Sequence, residues 1–156
     1  MIQRIQTLFL LLAIAATGSI FFLPLVSYYG LEHILMLDIT KITNPVPGDV
    51  IPGLDKISVL PLFIAYILVI VIALVAIFLY KNRPIQYRVV AVAMLVNILL
   101  VAGIFYYADK IGKMINVAPA YGAGVYLAIV PLIFFVLAQR YIRRDEKLVR
   151  SADRLR

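Results

Sequence analysis

Four long stretches of the chain contain no Asp, Glu, Lys, Arg or His side chain. They cover residues 5–31, 57–80, 89–108 and 114–139, which are 27, 24, 20 and 26 residues long. A helix crosses the hydrocarbon core of a bilayer in about 20 residues, so each stretch is long enough to span once. A lone segment in lipid satisfies its own backbone hydrogen bonds only as a helix. The stretches therefore predict four transmembrane helices.

The composition agrees with this prediction. Hydrophobic residues make up 64% of the chain and the mean hydropathy is +1.02, whereas soluble domains contain about 45–50% apolar residues. We predict an all-α membrane protein, in which one domain covers residues 1–156 as an antiparallel bundle of four helices. The predicted spans are about 5–26, 58–80, 87–108 and 121–141.

The first uncharged stretch has some features of a secretory signal peptide, since it follows Arg4 and contains the small residues "AIAATGS". Its apolar run nevertheless continues as "IFFLPLV", which makes it longer than a usual signal core. We therefore expect an uncleaved first span.

Basic residues are distributed unequally between the two sides of the predicted bundle. The side that holds both chain ends carries 11 of the 15 Lys and Arg residues, and the other side carries 4. Because basic residues collect in cytoplasmic segments, we expect both ends in the cytoplasm. Tyrosines are expected in both interfacial layers, with Tyr80, Tyr87 and Tyr141 on the cytoplasmic side and Tyr28, Tyr29, Tyr106, Tyr107 and Tyr121 on the outer side.

The longest segment predicted outside the membrane is the outer loop, residues 27–57. Its first half, "LEHILMLDITKIT", is rich in β-branched residues and favours extended structure, as a short hairpin. The following "NPVPGDVIPG" is typical of turns. The second outer segment, "DKIGKMINVAPAYGAG", is short and is expected to pack against the first.

A few residues inside the spans are candidates for helix contacts or for function. Asn97 is strongly polar in the middle of the third span, and we favour an interhelical hydrogen bond over a contact with a substrate or ion. Pro131 predicts a bend in the fourth span. Gly18, Gly122 and Gly124 are small enough to allow close packing of helices.

The outer loop contains the single histidine, His33, beside Glu32 and within possible reach of Asp38. This group is compatible with acid–base chemistry or a metal ligand, but one histidine does not build a typical zinc site. We favour an interfacial polar role and predict no catalytic residue, cofactor or metal. The absence of cysteine excludes thiolate chemistry, and the lack of acidic residues in the spans argues against a proton-coupled carrier.

The segment after the fourth span, "YIRRDEKLVRSADRLR", alternates in charge. As a helix it places Ile142, Leu148 and Val149 on one stripe, and Glu146 and Arg150 form a favourable i, i+4 pair. Three interpretations are a solvated stop signal, a helix on anionic lipid and a docking helix. The mixed charge and small apolar residues favour docking, either to a protein or to the "KNRPIQ" turn of this chain. The candidate partner-binding residues are Arg143, Arg144, Asp145, Glu146, Lys147, Leu148, Arg150, Ser151, Asp153 and Arg154.

Three motifs carry a family resemblance: the opening "MIQRIQTLFLLLA", the basic turn "KNRPIQYR" and the ending "IRRDEKLVRSADRLR". Together they resemble the bacterial family called domain of unknown function 4293 over the whole chain. The resemblance implies a small four-span inner-membrane protein of the Bacteroidota type. It implies no reaction, cofactor or catalytic residue.

These features lead to two hypotheses about function. The first is a non-enzymatic accessory or scaffold subunit in the inner membrane, in contact with lipid, which binds a larger membrane complex or a cytoplasmic protein. Protein export and envelope assembly are its candidate settings, and no nucleic acid is predicted. The alternative is a carrier or enzyme for lipids or small molecules, acting on the outer face around His33, Asp38 and Asp109.

Overall fold

The structure is a computed structural model and describes residues 3–30, 34–45, 51, 53–54 and 57–153. Within these ranges, side chains are described from Ile5 to Lys147. Four long helices make up most of the fold: α1 (Gln3–Ser19), α2 (Leu60–Phe78), α3 (Arg83–Ile115) and α4 (Ala123–Asp153). Each is long and apolar enough to cross a membrane, which confirms the prediction of a multi-pass, mostly helical membrane protein.

The helices form a ring in which α1 packs against α4, α4 against α3, α3 against α2, and α2 against α1. Aromatic stacking joins α1 to α4, since the ring of Phe9 lies 5.4 Å from that of Tyr141 and 6.4 Å from that of Phe134. At Gly103 on α3, an added Cβ would lie 2.8 Å from Cδ2 of Leu62 on α2. A small residue at position 103 therefore allows these two helices to approach closely.

The first helix ends sooner than the predicted span, which reached residue 26. A single 3₁₀ turn at Ile20–Phe22 follows α1. Leu23 is then extended, with φ −126° and ψ 137°, because the ring of Pro24 disfavours the helical conformation in the residue before it. The chain enters a strand at Val26.

The third helix is longer than its predicted span, 87–108. It has 33 residues and a length of about 50 Å, against about 30 Å for the hydrocarbon core. Asp109 and Lys113 form an i, i+4 ion pair of 2.6 Å on its exposed surface, so charge marks the limit of the apolar segment and not the end of the helix. The helix ends where Asn116 adopts the left-handed conformation, with φ 54°.

A small antiparallel sheet lies at one end of the bundle. It has four strands, β1 (Val26–Tyr29), β2 (Ile34–Leu37), β3 (Ile42–Thr43) and β4 (Ala120–Tyr121), in the spatial order β3-β2-β1-β4. Strands β2 and β3 come from the segment that was predicted to be extended, and β4 comes from the second outer segment. Val26, Tyr28, Leu35 and Leu37 are fully buried, so the sheet extends the apolar core beyond the helices.

Candidate functional site

We call the end of the bundle opposite the sheet the basic end. Helices α1 and α3 begin there and α2 and α4 end there. Its exposed cations include Arg140, Arg143, Arg144 and Lys147 on α4. This end contains the segment that the sequence predicted as a binding surface.

The buried stripe of α4 continues into that segment. Phe135, Ala138 and Ile142 are fully buried, and Asp145 is only 3% exposed. Steps of three and four residues keep these positions on one helix face, so the inward side of α4 includes Asp145. The sequence predicted Asp145 as part of an exposed recognition surface, whereas the structure places it against the bundle.

A long side chain from α3 fixes α4 at this level. Nη1 of Arg83 donates a hydrogen bond of 2.8 Å to the backbone carbonyl of Asp145. Neither carboxylate oxygen of Asp145 has a hydrogen-bond partner among the described residues. The hydrogen bond from Arg83 to the backbone at Asp145 ties the start of α3 to α4.

The outward side of α4 lines an open cavity of about 500 Å³. Its walls are formed by Tyr87, Val136, Gln139, Arg140, Arg143, Arg144 and Lys147. The guanidinium of Arg143 donates a hydrogen bond to the hydroxyl of Tyr87, and its central carbon lies 4.5 Å from the centre of the Tyr87 ring. These two contacts hold Arg143 in place across the α3–α4 groove.

The rest of the predicted recognition surface is only partly described. Glu146 is half-buried. The backbone of Leu148, Arg150, Ser151 and Asp153 is helical as part of α4, but their side chains lie outside the described ones. Arg154 lies outside the described residues altogether.

A family model for a domain of unknown function, DUF4293, matches residues 2–155. The chain belongs to the DUF4293 family. The resemblance read from the opening, the basic turn and the ending of the sequence is thereby confirmed. No curated protein matches the chain.

Two buried glutamines connect three helices near the basic end of this DUF4293 protein. Nε2 of Gln6 on α1 donates to Oε1 of Gln86 on α3 at 3.3 Å. Nε2 of Gln86 in turn donates to the carbonyl of Ala76 on α2 at 2.9 Å. Sequence analysis missed both residues. The available signal was their position on the helix: Gln6 lies four residues before Leu10, and Gln86 lies four residues before Val90. Each glutamine therefore shares a helix face with a buried apolar residue.

Asn97 lies fully buried between α3 and α4. Its Nδ2 donates a 3.0 Å hydrogen bond to the carbonyl of Ala128, while its Oδ1 has no partner among the described residues. The side chain therefore makes the kind of interhelical contact that its position suggested.

The residues proposed for chemistry at the sheet end make local contacts. Oδ2 of Asp38 accepts a 3.1 Å hydrogen bond from Oγ1 of Thr43, and Asp109 pairs with Lys113. His33 lies outside the described residues. Across the described part of the chain, no group of three or more His, Cys, Asp or Glu residues is placed to hold a metal ion.

The three glycines predicted to allow close packing behave differently. A Cβ at Gly122 would lie 2.5 Å from the carbonyl oxygen of Pro24, and one at Gly124 would lie 2.9 Å from it. The backbone N–H of Gly122 also donates to the carbonyl of Leu25 at 2.8 Å. At Gly18 a Cβ would meet nothing within 4 Å, so the packing role predicted for Gly18 is wrong.

Tyr28, which the sequence placed among the interfacial tyrosines, has a side chain that is enclosed by the protein. It is fully buried under the sheet, and its hydroxyl donates a 2.8 Å hydrogen bond to the carbonyl of Ala108 at the far end of α3. Burial, with smaller contributions from Tyr121 and Asp109, raises the pKa of Tyr28 well above its usual range. The neutral phenol is therefore a structural link between the sheet and α3.

Proposed function

We propose that this DUF4293 protein is a small, non-enzymatic accessory subunit of the bacterial inner membrane. In this proposal both chain ends face the cytoplasm, and the last turns of α4, residues 146–153, bind a larger membrane complex or a cytoplasmic protein. Protein export and envelope assembly are settings in which such a subunit would act. The excess of basic residues at the basic end supports the orientation.

One observation carries the proposal: α4 is a single helix of 31 residues. At 1.5 Å per residue it is about 46 Å long, which exceeds the hydrocarbon core by about ten residues. The buried stripe that includes Asp145 and the hydrogen bond from Arg83 hold the base of this projection against the bundle. A partner therefore meets a helix that is already formed, which lowers the entropic cost of binding.

The buried polar side chains support a structural role for the bundle interior. Gln6, Gln86 and Asn97 form hydrogen bonds between helices, and Thr17 bonds to the carbonyl of Ala13 in its own helix. Contacts of this kind hold helices together in lipid. We therefore assign recognition to the projecting end of α4 and not to the interior.

Photo-crosslinking in cells tests the partner. A photoreactive residue replaces Ser151 in one variant and Tyr126 in the control, since Tyr126 lies on the same helix and is 65% exposed within the span. We expect a discrete protein adduct, identified by mass spectrometry, from position 151 and not from position 126. Adducts at position 151 that contain only this chain or the same set of proteins as the control would contradict the proposal.

The orientation has its own test, because the chain contains no cysteine. Single cysteines are introduced as Ser151→Cys and Tyr29→Cys, the latter at a position that is 66% exposed. In spheroplasts, a membrane-impermeant maleimide is expected to label position 29 and to label position 151 only after lysis. The reverse pattern would overturn the proposed orientation.

A further inference from the structure

The cavity at the basic end continues a stripe of α4 that faces away from the bundle. Tyr126, Ile129, Ile133 and Val136 are exposed along the span, and steps of three or four residues lead from them to Arg140, Arg143 and Lys147. The same helix face is thus apolar along the span and basic beyond it. In a membrane, acyl chains cover the apolar part of this face.

The basic part of the face lies at the depth of lipid headgroups. Arg140 directly follows the uncharged stretch that ends at residue 139. The rise from Arg140 to Lys147 is about 10 Å, and the polar layer on each side of a bilayer is about 5–8 Å thick. Tyr87, on the opposite wall of the cavity, has the amphipathic side chain that favours this layer.

The cavity has donors and positive charge in excess of acceptors. Among the residues that the structure describes, the one ion pair joins Lys113 to Asp109, so none of the four cavity cations is paired with a described carboxylate. Nε2 of Gln139, in the cavity wall, is buried and has no hydrogen-bond partner there. A ligand that satisfies this set must bring negative charge and several acceptor oxygens.

We propose that the cavity binds the phosphodiester headgroup of an anionic phospholipid, with the acyl chains lying along the apolar stripe from Val136 to Tyr126. Arg143 is the central residue, because its contact with Tyr87 fixes it in the groove and a guanidinium carries five N–H donors in all. Basic pockets between helices at the membrane surface are suited to such headgroups. A free phosphate ion would use the cations but not the apolar wall.

This lipid site shares only Lys147 with the partner surface proposed above. The rest of that surface, residues 148–153, is not required for lipid binding, and the variant tested below leaves Lys147 unchanged. The two proposals therefore fail independently. A variant that loses the lipid keeps the projecting turns of α4, and deletion of residues 148–156 keeps the cavity.

Native mass spectrometry of the full chain, released from a mild non-ionic detergent, tests the lipid site. Phosphatidylglycerol and phosphatidylcholine with identical acyl chains are titrated in parallel. We expect one phosphatidylglycerol to be retained per chain at concentrations at which phosphatidylcholine is not. The triple variant Arg140→Gln/Arg143→Gln/Arg144→Gln is expected to weaken phosphatidylglycerol binding by on the order of a hundredfold, at about fivefold for each cation.

Two controls distinguish a specific lipid-binding site from nonspecific attraction of anionic lipid to basic residues. The variant Lys41→Gln/Lys110→Gln/Lys113→Gln removes the same charge at the sheet end and is expected to change affinity less than about twofold. Replacing the three arginines with lysine keeps the charge and is expected to preserve most of the binding, which also shows that the chain folds with this face altered.

Three results would overturn the proposal. They are equal binding of the two lipids, an equal loss of binding in the sheet-end control, and displacement of phosphatidylglycerol by an excess of inorganic phosphate. The last result would identify a site for a free anion and not for a lipid.

Discussion

The two ends of the bundle are held together by different kinds of contact. At the sheet end the close contacts are between backbone atoms: Gly122, just before α4, and Gly124, in its first turn, lie directly against the carbonyls of Pro24 and Leu25. At the basic end, long side chains make the connections, from Arg83 to the Asp145 carbonyl and from Gln6 through Gln86 to Ala76. The tightest contacts at the sheet end are thus between backbone atoms, whereas those at the basic end are made by side chains, and that end also has cations exposed on its surface.

This difference predicts that the largest effect at the sheet end is steric and that effects at the basic end act through hydrogen bonds. The largest effect is expected at Gly122. Gly122→Ala forces a Cβ to 2.5 Å from a backbone oxygen, and overpacking against backbone costs about 2 kcal/mol or more of unfolding free energy. Thermal unfolding in detergent measures this loss.

Gly18→Ala is the matched control, because its Cβ meets nothing within 4 Å. It is expected to stay within about 1 kcal/mol of the unchanged protein. Equal losses in the two variants would show that the close approach at Pro24 does not hold the sheet end together.

An intermediate effect is expected from the glutamine contacts at the basic end. Gln86→Leu leaves the Gln6 amide without its partner, and a buried unpaired group costs about 1–3 kcal/mol. Adding Gln6→Leu removes the unpaired amide. The loss of unfolding free energy in the double variant is therefore expected to be smaller, by about 0.5–1 kcal/mol, than the sum of the losses in the two single variants. Strict additivity of the unfolding free energies would show that the two side chains do not act together.

The smallest effect concerns the pH dependence of the sheet end. Because the folded protein raises the pKa of Tyr28, the unfolded chain loses this proton first, at the ordinary value of 10.0. The stability contributed by the neutral phenol is complete below that pH and is lost as pH rises above it.

Tyr28→Phe tests this link directly. It is expected to cost about 1 kcal/mol at neutral pH through the lost hydrogen bond. It should also flatten the alkaline fall in melting temperature relative to the unchanged protein. If both proteins lose stability with the same slope above pH 10, the buried phenol does not govern that fall.

Much of this architecture could be predicted from the sequence. The uncharged stretches indicated four spans because charge is excluded from hydrocarbon, and three motifs identified the family. The first strand was missed because Val26 continues an apolar run, and Pro24 was the signal that the helix ends before it. The pairing of β4 with β1 depends on two segments about 90 residues apart, which no local pattern specifies.

The misplacement of Asp145 has a different cause. Amphipathic patterns assign charged side chains to the outside, and a helical stripe through Ile142, Leu148 and Val149 follows that rule. The described stripe runs through Ala138, Ile142 and Asp145, and Arg83 from another helix bonds to the backbone at that position. The spacing from Ala138 and Ile142 to Asp145 was therefore the available signal, whereas the hydrogen bond from Arg83 on another helix is a tertiary contact that the sequence of α4 does not encode.

The central claim is that the projecting end of α4 is held by the bundle and presented as a formed helix. Hydrogen exchange of residues 146–153, compared between Arg83→Gln and Arg88→Gln, tests it most directly. Both changes remove one charge from the start of α3, but Arg88 is exposed and Arg83 bonds to Asp145. We predict faster exchange in α4 for Arg83→Gln alone. Unchanged exchange in both variants, or an equal increase in both, would contradict the claim.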